Sequence, residues 1–243
     1  MSEPTGVYCL PAVQARMTFD PDRVTTVTFD SYSTLVDVDA VERALADRVD
    51  DPEPVSAHWR TRSLEYTMVA NHLDEYEPFY EVNRKALQHA LDVEGIDLDP
   101  ETRDEILAAY HELDVFEDVR DGIDGLTEAG YDCYVLSNGN PEMLESMVDH
   151  CGIDDLLTGV VSADELQTFK PSVELYEHAA DRTGTPVDEI AHVSALWFDV
   201  QGAQHAGMQG VRLDRKGDPW ERFGPAPDLT VETIDELHAA LDG

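Results

Sequence analysis

Short apolar runs alternate with longer amphipathic stretches along most of this chain. The clearest run, residues 24–35, has Val24, Val27 and Phe29 in a β-rich context and turns polar after Asp30. Such a run is typical of a buried parallel strand. Further strands are predicted within residues 131–137, 158–162, 190–194 and 211–213, and a terminal strand and helix within residues 229–241. The alternation predicts an α/β fold with a parallel sheet flanked by helices.

Residues 37–116 interrupt this alternation with helical patterns alone. Apolar spacing predicts helices over residues 38–49, 56–69 and 79–93, and Asp99 followed by Pro100 begins a fourth. Four helices are too many for a simple crossover between two strands. We therefore expect residues 24–36 and 117–243 to form the α/β core and residues 37–116 to form an inserted helical cap. Residues 1–23 are polar without a clear period, and we expect a poorly ordered extension there.

The charge of the chain is its most unusual property. The formal net charge is −36 over 243 residues, and lysine occurs only at Lys85, Lys170 and Lys216. A foldable, acidic and lysine-poor chain is what we expect of a halophile, where salt screens self-repulsion. Intrinsic disorder is the competing interpretation, but regular apolar periodicity argues against it. We expect neither nucleic acid nor an anionic membrane as a partner, because binding phosphate needs clustered cations.

Cysteine usage and hydropathy predict a cytoplasmic protein. Cys9, Cys133 and Cys151 are odd in number and have no metal-ligand spacing, and Cys133 lies in an apolar strand as a core residue. Reduced thiols fit a cytoplasm. No apolar run approaches the roughly 20 residues that span a bilayer, and the N-terminus has no secretory pattern. The nine histidines have no metal-ligand spacing on one helix.

Asp30 is the first candidate for chemistry. Because ligands of open α/β sheets bind beyond the carboxyl ends of the strands, Asp30 would lie at the mouth of the site. An oriented carboxylate can act as a nucleophile that forms an ester, which water then cleaves. Alternatively, Asp30 only caps the following turn. The residues alone leave both interpretations open.

The stretch Asp30-x-Tyr32-x-Thr34-Leu35 resembles the first motif of the haloacid dehalogenase (HAD) superfamily. The resemblance implies a Rossmann-like core, a nucleophilic Asp30 and a Thr34 that positions it. Phosphatases of the superfamily place a second aspartate, a general acid and backbone metal ligand, where this chain has Tyr32. A tyrosine, with an unperturbed pKa of about 10, cannot do that acid work at neutral pH. The motif is therefore similar to the metal-independent L-2-haloacid dehalogenase branch, which implies no metal and no cofactor.

A second motif lies in the predicted cap. The stretch Trp59-Arg60-x-x-x-Leu64-Glu65-Tyr66-Thr67 resembles the cap helix of those dehalogenases. The resemblance implies that Arg60 holds the departing halide, and a guanidinium suits this because it is always protonated and offers several donors. The alternative is a solvated arginine paired with a nearby carboxylate.

Three further motifs follow in the order that the superfamily has them. Ser137 and Asn138 end a strand before a helix, Lys170-Pro171 precedes Tyr176, and Ser194 precedes Asp199 by five residues. By resemblance, Ser137 and backbone amides hold the substrate carboxylate, and Asn138 shares the halide with Arg60. Lys170 and Tyr176 orient Asp30, Ser194 positions the carboxylates, Asp199 assists the hydrolytic water, and Tyr32 and Phe198 contact the substrate.

The resemblance covers residues 24–243 and has departures. Ser33 replaces a usual glycine, Thr61 a usual glutamine, and Leu196 an asparagine used near the nucleophile and water; leucine has no donor or acceptor. We expect hydrolysis of short L-2-haloacids through an ester on Asp30, by a possible homodimer. Two alternatives stay open. One is a hydrolase of another small anion, such as a phosphate ester; the other is a non-catalytic relative that binds small carboxylates.

Overall fold

The computed structural model describes residues 19–243, so Cys9 and most of the predicted N-terminal extension (residues 1–18) lie outside it. The described part of that extension contains a short 3-10 turn, Pro21–Arg23, before the first strand. The strands are β1 Thr26–Phe29, β2 Val36–Asp37, β3 Asp114–Val115, β4 Asp132–Ser137, β5 Gly159–Ser162, β6 Ile190–Ser194, β7 Gln209–Leu213 and β8 Leu229–Val231. The helices are α1 Ala40–Ala46, α2 Pro52–Leu73, α3 Phe79–Glu94, α4 Pro100–Ala108, α5 Val119–Glu128, α6 Pro141–Cys151, α7 Val173–Thr183, α8 Trp197–Ala206 and α9 Ile234–Asp242.

Six of the strands form one parallel sheet in the order β5-β4-β1-β6-β7-β8. The predicted α/β class is thereby confirmed. β1 lies in the middle, with Phe29 in register with Val135 of β4 and Val193 of β6. All four residues of β1 are buried, as expected for a strand covered on both faces. The sheet therefore presents the end of β1 at its centre, where Asp30 follows.

Helices α1–α4 form an insertion between β1 and α5. The chain enters and leaves it through β2 and β3, which pair antiparallel with Val36 opposite Val115. Inside the insertion, α2 packs along α3, and the buried Trp59 donates from Nε1 to the backbone oxygen of Asn83 at 2.9 Å. Ser63 Oγ donates to Asn83 Oδ1 at 2.9 Å. A buried polar group needs such partners, so these bonds fix how the two helices pack.

The starts of α4 and α6 differ in their chemistry. Asp99 caps α4 as expected, because its Oδ1 accepts from the backbone N–H of Thr102 at 3.0 Å. Asn140 occupies the N-cap position of α6 but makes no side-chain bond to that helix's backbone. Its Oδ1 instead accepts from the backbone N–H of Tyr80 at 3.2 Å and so ties the core to α3.

Other sequence predictions concern the interior and the membrane. Cys133 and Cys151 are buried and unpaired, and burial raises the pKa of the Cys133 thiol to about 12 and that of Cys151 to about 11. Cys133 is therefore a core residue, as predicted. Within residues 19–243, no helix has both the length and the apolar character needed to cross a bilayer.

Candidate active site

Asp30 lies at the carboxyl end of β1 and is almost completely buried, with 3% of its surface exposed. Its backbone N–H still donates to Val193 of β6, at 2.9 Å, so the sheet fixes its position. The chain then turns tightly through Ser33, whose φ of 68° is in the left-handed region. That turn brings Thr34 Oγ1 to 2.9 Å from Asp30 Oδ2, to which it donates. A left-handed φ costs glycine little, which explains why the resembled motif usually has glycine where this chain has Ser33. Serine adopts the same φ at some cost in energy.

Lys170 holds the other oxygen of Asp30. Its ammonium donates to Asp30 Oδ1 at 2.6 Å, to Asp199 Oδ2 at 2.8 Å and to the backbone oxygen of Leu136 at 2.9 Å. All three N–H donors are therefore used, although only 2% of the residue is exposed. Burial opposes the positive charge, but Asp199 and Asp30 outweigh it and raise the pKa of Lys170 above its ordinary value. Lys170 is a charged bridge between two buried carboxylates.

The two carboxylates differ in how well they are stabilised. Burial raises the pKa of Asp30 above its ordinary value, and the attraction of Lys170 only partly offsets this. Burial opposes ionisation of Asp199 too, but His192 and Lys170 outweigh it and hold its pKa well below the ordinary value. Tyr176 also donates to Asp199 Oδ1, at 2.7 Å. Asp30 is thus the less stabilised anion of the two, which suits a nucleophile, whereas Asp199 suits a fixed counter-charge.

A cavity of about 340 Å³ opens above Asp30. Its wall combines the polar groups of the core with apolar side chains of the insertion and of the loop before α8. Six of the predicted site residues lie on this wall: Asp30, Tyr32, Arg60, Asn138, Lys170 and Phe198. Leu196, the departure from the family motif, lies on it as well. An anion at the base, cations at the side and apolar surface elsewhere suit a small anionic substrate with an apolar reacting centre.

Tyr32 forms an aromatic part of that wall. Its ring packs against Phe79 and edge-on against Tyr110, with centroid separations of 6.0 and 5.6 Å. Burial is the main cause that raises the pKa of the Tyr32 phenol well above its ordinary value, so the phenol stays neutral. Its hydroxyl has no hydrogen-bond partner among the described residues. Since a buried hydroxyl is costly without a partner, this donor is available to a bound substrate.

Arg60 reaches the cavity from α2. Its Nη1 donates to Asp39 Oδ1 at 2.6 Å, and Lys216 Nζ approaches Asp39 Oδ2 to 3.2 Å. Asn138 lies nearby on the wall, with Oδ1 accepting from the backbone N–H of Lys170 at 2.8 Å, which turns its amide group to one orientation. The guanidinium of Arg60 therefore lies on the cavity wall, as a halide-binding role requires, and is also paired with a carboxylate, as the alternative interpretation expected.

Five predicted site residues lie behind the wall rather than on it: Thr34, Ser137, Tyr176, Ser194 and Asp199. Ser137 Oγ is 2.6 Å from Ser31 Oγ and accepts from the backbone N–H of Gly139 at 3.0 Å. Ser194 Oγ accepts from the backbone N–H of Leu196 at 3.1 Å. In this conformation, neither hydroxyl faces the cavity. These groups support the loops that carry Asp30, Lys170 and Asn138.

A group of cations at the end of β7 and just after it was not predicted from the sequence. Arg215 donates twice to the backbone oxygen of Thr34, at 3.1 and 2.9 Å, and pairs with Asp118 at 2.7 Å. Its guanidinium lies 4.3 Å from the centre of the Phe116 ring. Arg215 thereby holds the Asp30 turn against the end of the insertion. A signal existed, because Arg212, Arg215 and Lys216 cluster within five residues of a chain that has only 16 lysines and arginines.

Comparison with known proteins agrees with this geometry. A family model for haloacid dehalogenase-like hydrolases matches residues 24–207. The (S)-2-haloacid dehalogenase 4A of Burkholderia cepacia is 34% identical over 222 residues, 90% of this chain and 96% of that protein. The (S)-2-haloacid dehalogenase 1 of Pseudomonas sp. strain CBS-3 is 33% identical over 90% of this chain and 97% of that protein.

Solved structures resemble the fold closely. The L-2-haloacid dehalogenase of Xanthobacter autotrophicus with chloropropionic acid covalently bound superposes with a TM-score of 0.85 at 27% identity, covering 90% of this chain and 99% of that one. A dehalogenase with an intermediate complex gives 0.86 at 33% identity, covering 91% and 98%. With its core motifs, parallel sheet and buried Asp30 site, the chain belongs to the haloacid dehalogenase-like hydrolases.

Proposed function

We propose that this protein hydrolyses short L-2-haloacids to 2-hydroxy acids through an ester on Asp30. One observation carries the proposal: a buried carboxylate, held by Lys170 and Thr34, lies at the base of a cavity with cationic and apolar walls. The relatives support the substrate class, because those named above are (S)-2-haloacid dehalogenases and one related structure holds covalently bound chloropropionic acid.

In the first step, an Asp30 oxygen attacks C2 of the substrate from the side opposite the halide. The C–halide bond breaks with inversion at C2, and the halide leaves towards Arg60 and Asn138. Because Thr34 and Lys170 hold both Asp30 oxygens, the carboxylate enters the reaction already oriented. Arg60 contacts Asp39 through Nη1 alone, so other N–H donors of the guanidinium are available to the halide.

In the second step, water attacks the carboxyl carbon of the Asp30 ester. Negative charge develops on the ester oxygen, and the Lys170 ammonium at Asp30 is the donor placed to stabilise it. The bond between that carbon and the product oxygen then breaks, and the product oxygen takes one proton of the water to give the 2-hydroxy acid. The other proton is released to solvent, and Asp30 is again a carboxylate. Both oxygens of Asp199 are engaged, by Lys170 and by Tyr176. We therefore propose that Asp199 does not take a proton from the water but assists its attack electrostatically, by holding the charged Lys170 in place.

We propose that residues 37–116 are a cap over the core formed by residues 24–36 and 117–243. The chain passes from the core into the insertion through β2 and returns through β3, and these two strands pair with Asp37 opposite Asp114. The insertion supplies Arg60, Leu64, Phe79 and Tyr110 to the cavity wall, so it excludes bulk water from Asp30. Exclusion of water strengthens the charge interactions and protects the ester.

The direct test is halide release from L-2-chloropropionate in molar salt with a chelator present. Inversion at C2 predicts D-lactate as the product, and D-2-chloropropionate serves as the matched control that reacts poorly. A protein that releases no halide from either enantiomer contradicts the proposal. Hydrolysis of phosphate esters that requires magnesium would instead favour the superfamily's phosphatase chemistry.

Leu196 is the observation that favours a second candidate, a relative that binds small carboxylates without turnover. It lies on the cavity wall where the family motif has an amide, and leucine offers no hydrogen bond to water. Calorimetric binding of L-lactate or propionate without halide release from any haloacid would support this candidate over the enzyme.

We further propose a cytoplasmic, salt-adapted homodimer. The buried free thiols of Cys133 and Cys151 support a reducing compartment. The net charge of −36 supports salt adaptation. Met68, Val69 and Leu73 are 40%, 53% and 59% exposed near the end of α2, an apolar surface that a second copy of the chain could cover. Light scattering in molar salt tests the mass, which is 27.1 kDa for one chain.

A further inference from the structure

A buried histidine lies directly behind the catalytic charges and has no part in the reaction described above. His192 is the central residue of β6 and is completely inaccessible to solvent. It is in register with Thr28 of β1 and Gly210 of β7. A titratable side chain at the middle of a central strand is unusual, since such positions are normally apolar.

The two ring nitrogens of His192 have different neighbours. Nδ1 is 2.9 Å from Thr28 Oγ1, and Nε2 is 3.0 Å from Asp199 Oδ1. The ring meets Tyr176 edge-on, with the centroids 5.6 Å apart. Nε2 lacks a well-aligned hydrogen bond, so its contact with Asp199 is chiefly electrostatic. Asp199 and Tyr176 are the titratable groups in contact with the ring, from α8 and α7, and Lys170 holds the other oxygen of Asp199.

The charges of this cluster change during the proposed reaction. Asp30 and Asp199 carry two negative charges against one on Lys170, so a protonated His192 balances the buried cluster. When Asp30 becomes an ester, it loses its charge, and Asp199 then balances Lys170 alone. A protonated His192 would at that stage leave an excess positive charge beside the ester. Negative charge that develops as water attacks is stabilised by such an excess.

We propose that His192 is a positioning residue for ester hydrolysis: it contacts Asp199 through the oxygen that Lys170 leaves free, and its protonation controls the rate of the second step. The inference rests on the proposed dehalogenation. His192 acts through Asp199 and Lys170 and does not touch the substrate. A neutral His192 supplies no such charge, so ester hydrolysis should be slower at high pH than at low pH.

Single-turnover kinetics from pH 5 to 9 test the inference. His192→Phe fills the space without a charge, and we expect ester formation within about threefold of the parent but hydrolysis slowed at least tenfold, so that the ester accumulates. His192→Gln keeps a neutral amide, and its hydrolysis should lose the pH-dependent limb. His178→Gln is the matched control, because His178 pairs with Glu165 on the outside of the core. Folded His192 variants that match the parent's hydrolysis profile, or slow both steps equally, would leave His192 a packing residue only.

An NMR titration of the His192 ring separates this inference from the proposed function, because it needs no turnover. In Asp199→Asn, the midpoint should move to lower pH, since an anion beside the ring favours its protonated form. An unchanged midpoint would overturn the linkage between His192 and Asp199. If the parent releases no halide while the midpoint does move, the proposed function fails and the electrostatic linkage stands.

Discussion

Lys170→Met removes the charge that joins the two buried carboxylates and keeps an unbranched side chain of similar length. In the parent, Lys170 Nζ lies 2.6 Å from Asp30 and 2.8 Å from Asp199. At an effective dielectric constant of about 20, each contact amounts to roughly 6 kcal/mol of gross Coulomb attraction, most of which offsets the cost of burial. Removing one partner of such a group typically costs about 3–5 kcal/mol, because the remaining charge stays buried.

We therefore expect the free energy of unfolding to fall by about 3–5 kcal/mol at pH 7.5. In a domain of this size, that corresponds to a fall in Tm on the order of 10 °C. Halide release should be lost, since Asp30 would bind a proton to relieve its charge. Urea unfolding of parent and variant in the same molar salt measures the difference.

The loss should depend on pH in a defined direction. Burial already raises the pKa of Asp30, and without Lys170 that pKa lies still further above the unfolded value. A carboxyl raised in this way stabilises the fold below the unfolded pKa and less as the pH rises. The deficit of the variant should thus be largest near neutral pH and shrink towards pH 4. Lys85→Met is the matched control, because Lys85 is 57% exposed and pairs with Glu77 at the surface, where a pair contributes about 0–1 kcal/mol. Equal stability of the Lys170 and Lys85 variants across this range would refute the reasoning.

Three further predictions concern the cavity and the surface. Arg60→Lys should abolish most halide release with a change in Tm below about 2 °C, because lysine keeps the pairing charge but loses the fork of donors; full activity would remove Arg60 from the halide site. Leu196→Asn should raise or broaden turnover measured on several haloacids, at a stability cost of roughly 1–3 kcal/mol if the amide is unpaired; unchanged kinetics in a folded variant would exclude position 196 from the reaction. The Tm should rise substantially from low to molar salt, because the net charge of −36 is then screened; a flat or falling curve would argue against salt adaptation.

Local sequence patterns were enough to predict the sheet and the helical segment inserted after its first strand, whereas the nucleophilic role of Asp30 followed only from the resemblance of its motif. Asp30 follows a β-rich apolar run, and Lys170 is one of three lysines and precedes a proline. Because parallel strands end at the same edge of a sheet, the positions of these residues after separate strands predict their meeting. Their contact at 2.6 Å joins residues that are 140 positions apart in the chain.

Other features needed the tertiary structure. The sequence does not distinguish a serine that faces the cavity from one that supports a loop, and Ser137 turns out to pair with Ser31 behind the wall. His192 lies in a run that reads as an ordinary buried strand, and only the packing of α8 shows its contact with Asp199. Asn140 stands in a cap position, yet its side chain bonds to α3. In each case a polar side chain had several possible partners, and the fold selected a distant one.

Oxygen isotope labelling tests the covalent role of Asp30 most directly. In a single turnover in oxygen-18 water, water oxygen should enter the Asp30 carboxylate and the first 2-hydroxy acid should be unlabelled, since its new oxygen comes from Asp30. Mass spectrometry of the peptide that contains Asp30 and of the product reads both outcomes. Label in the first product with an unlabelled Asp30, or full activity of Asp30→Ala, would contradict nucleophilic attack by this residue.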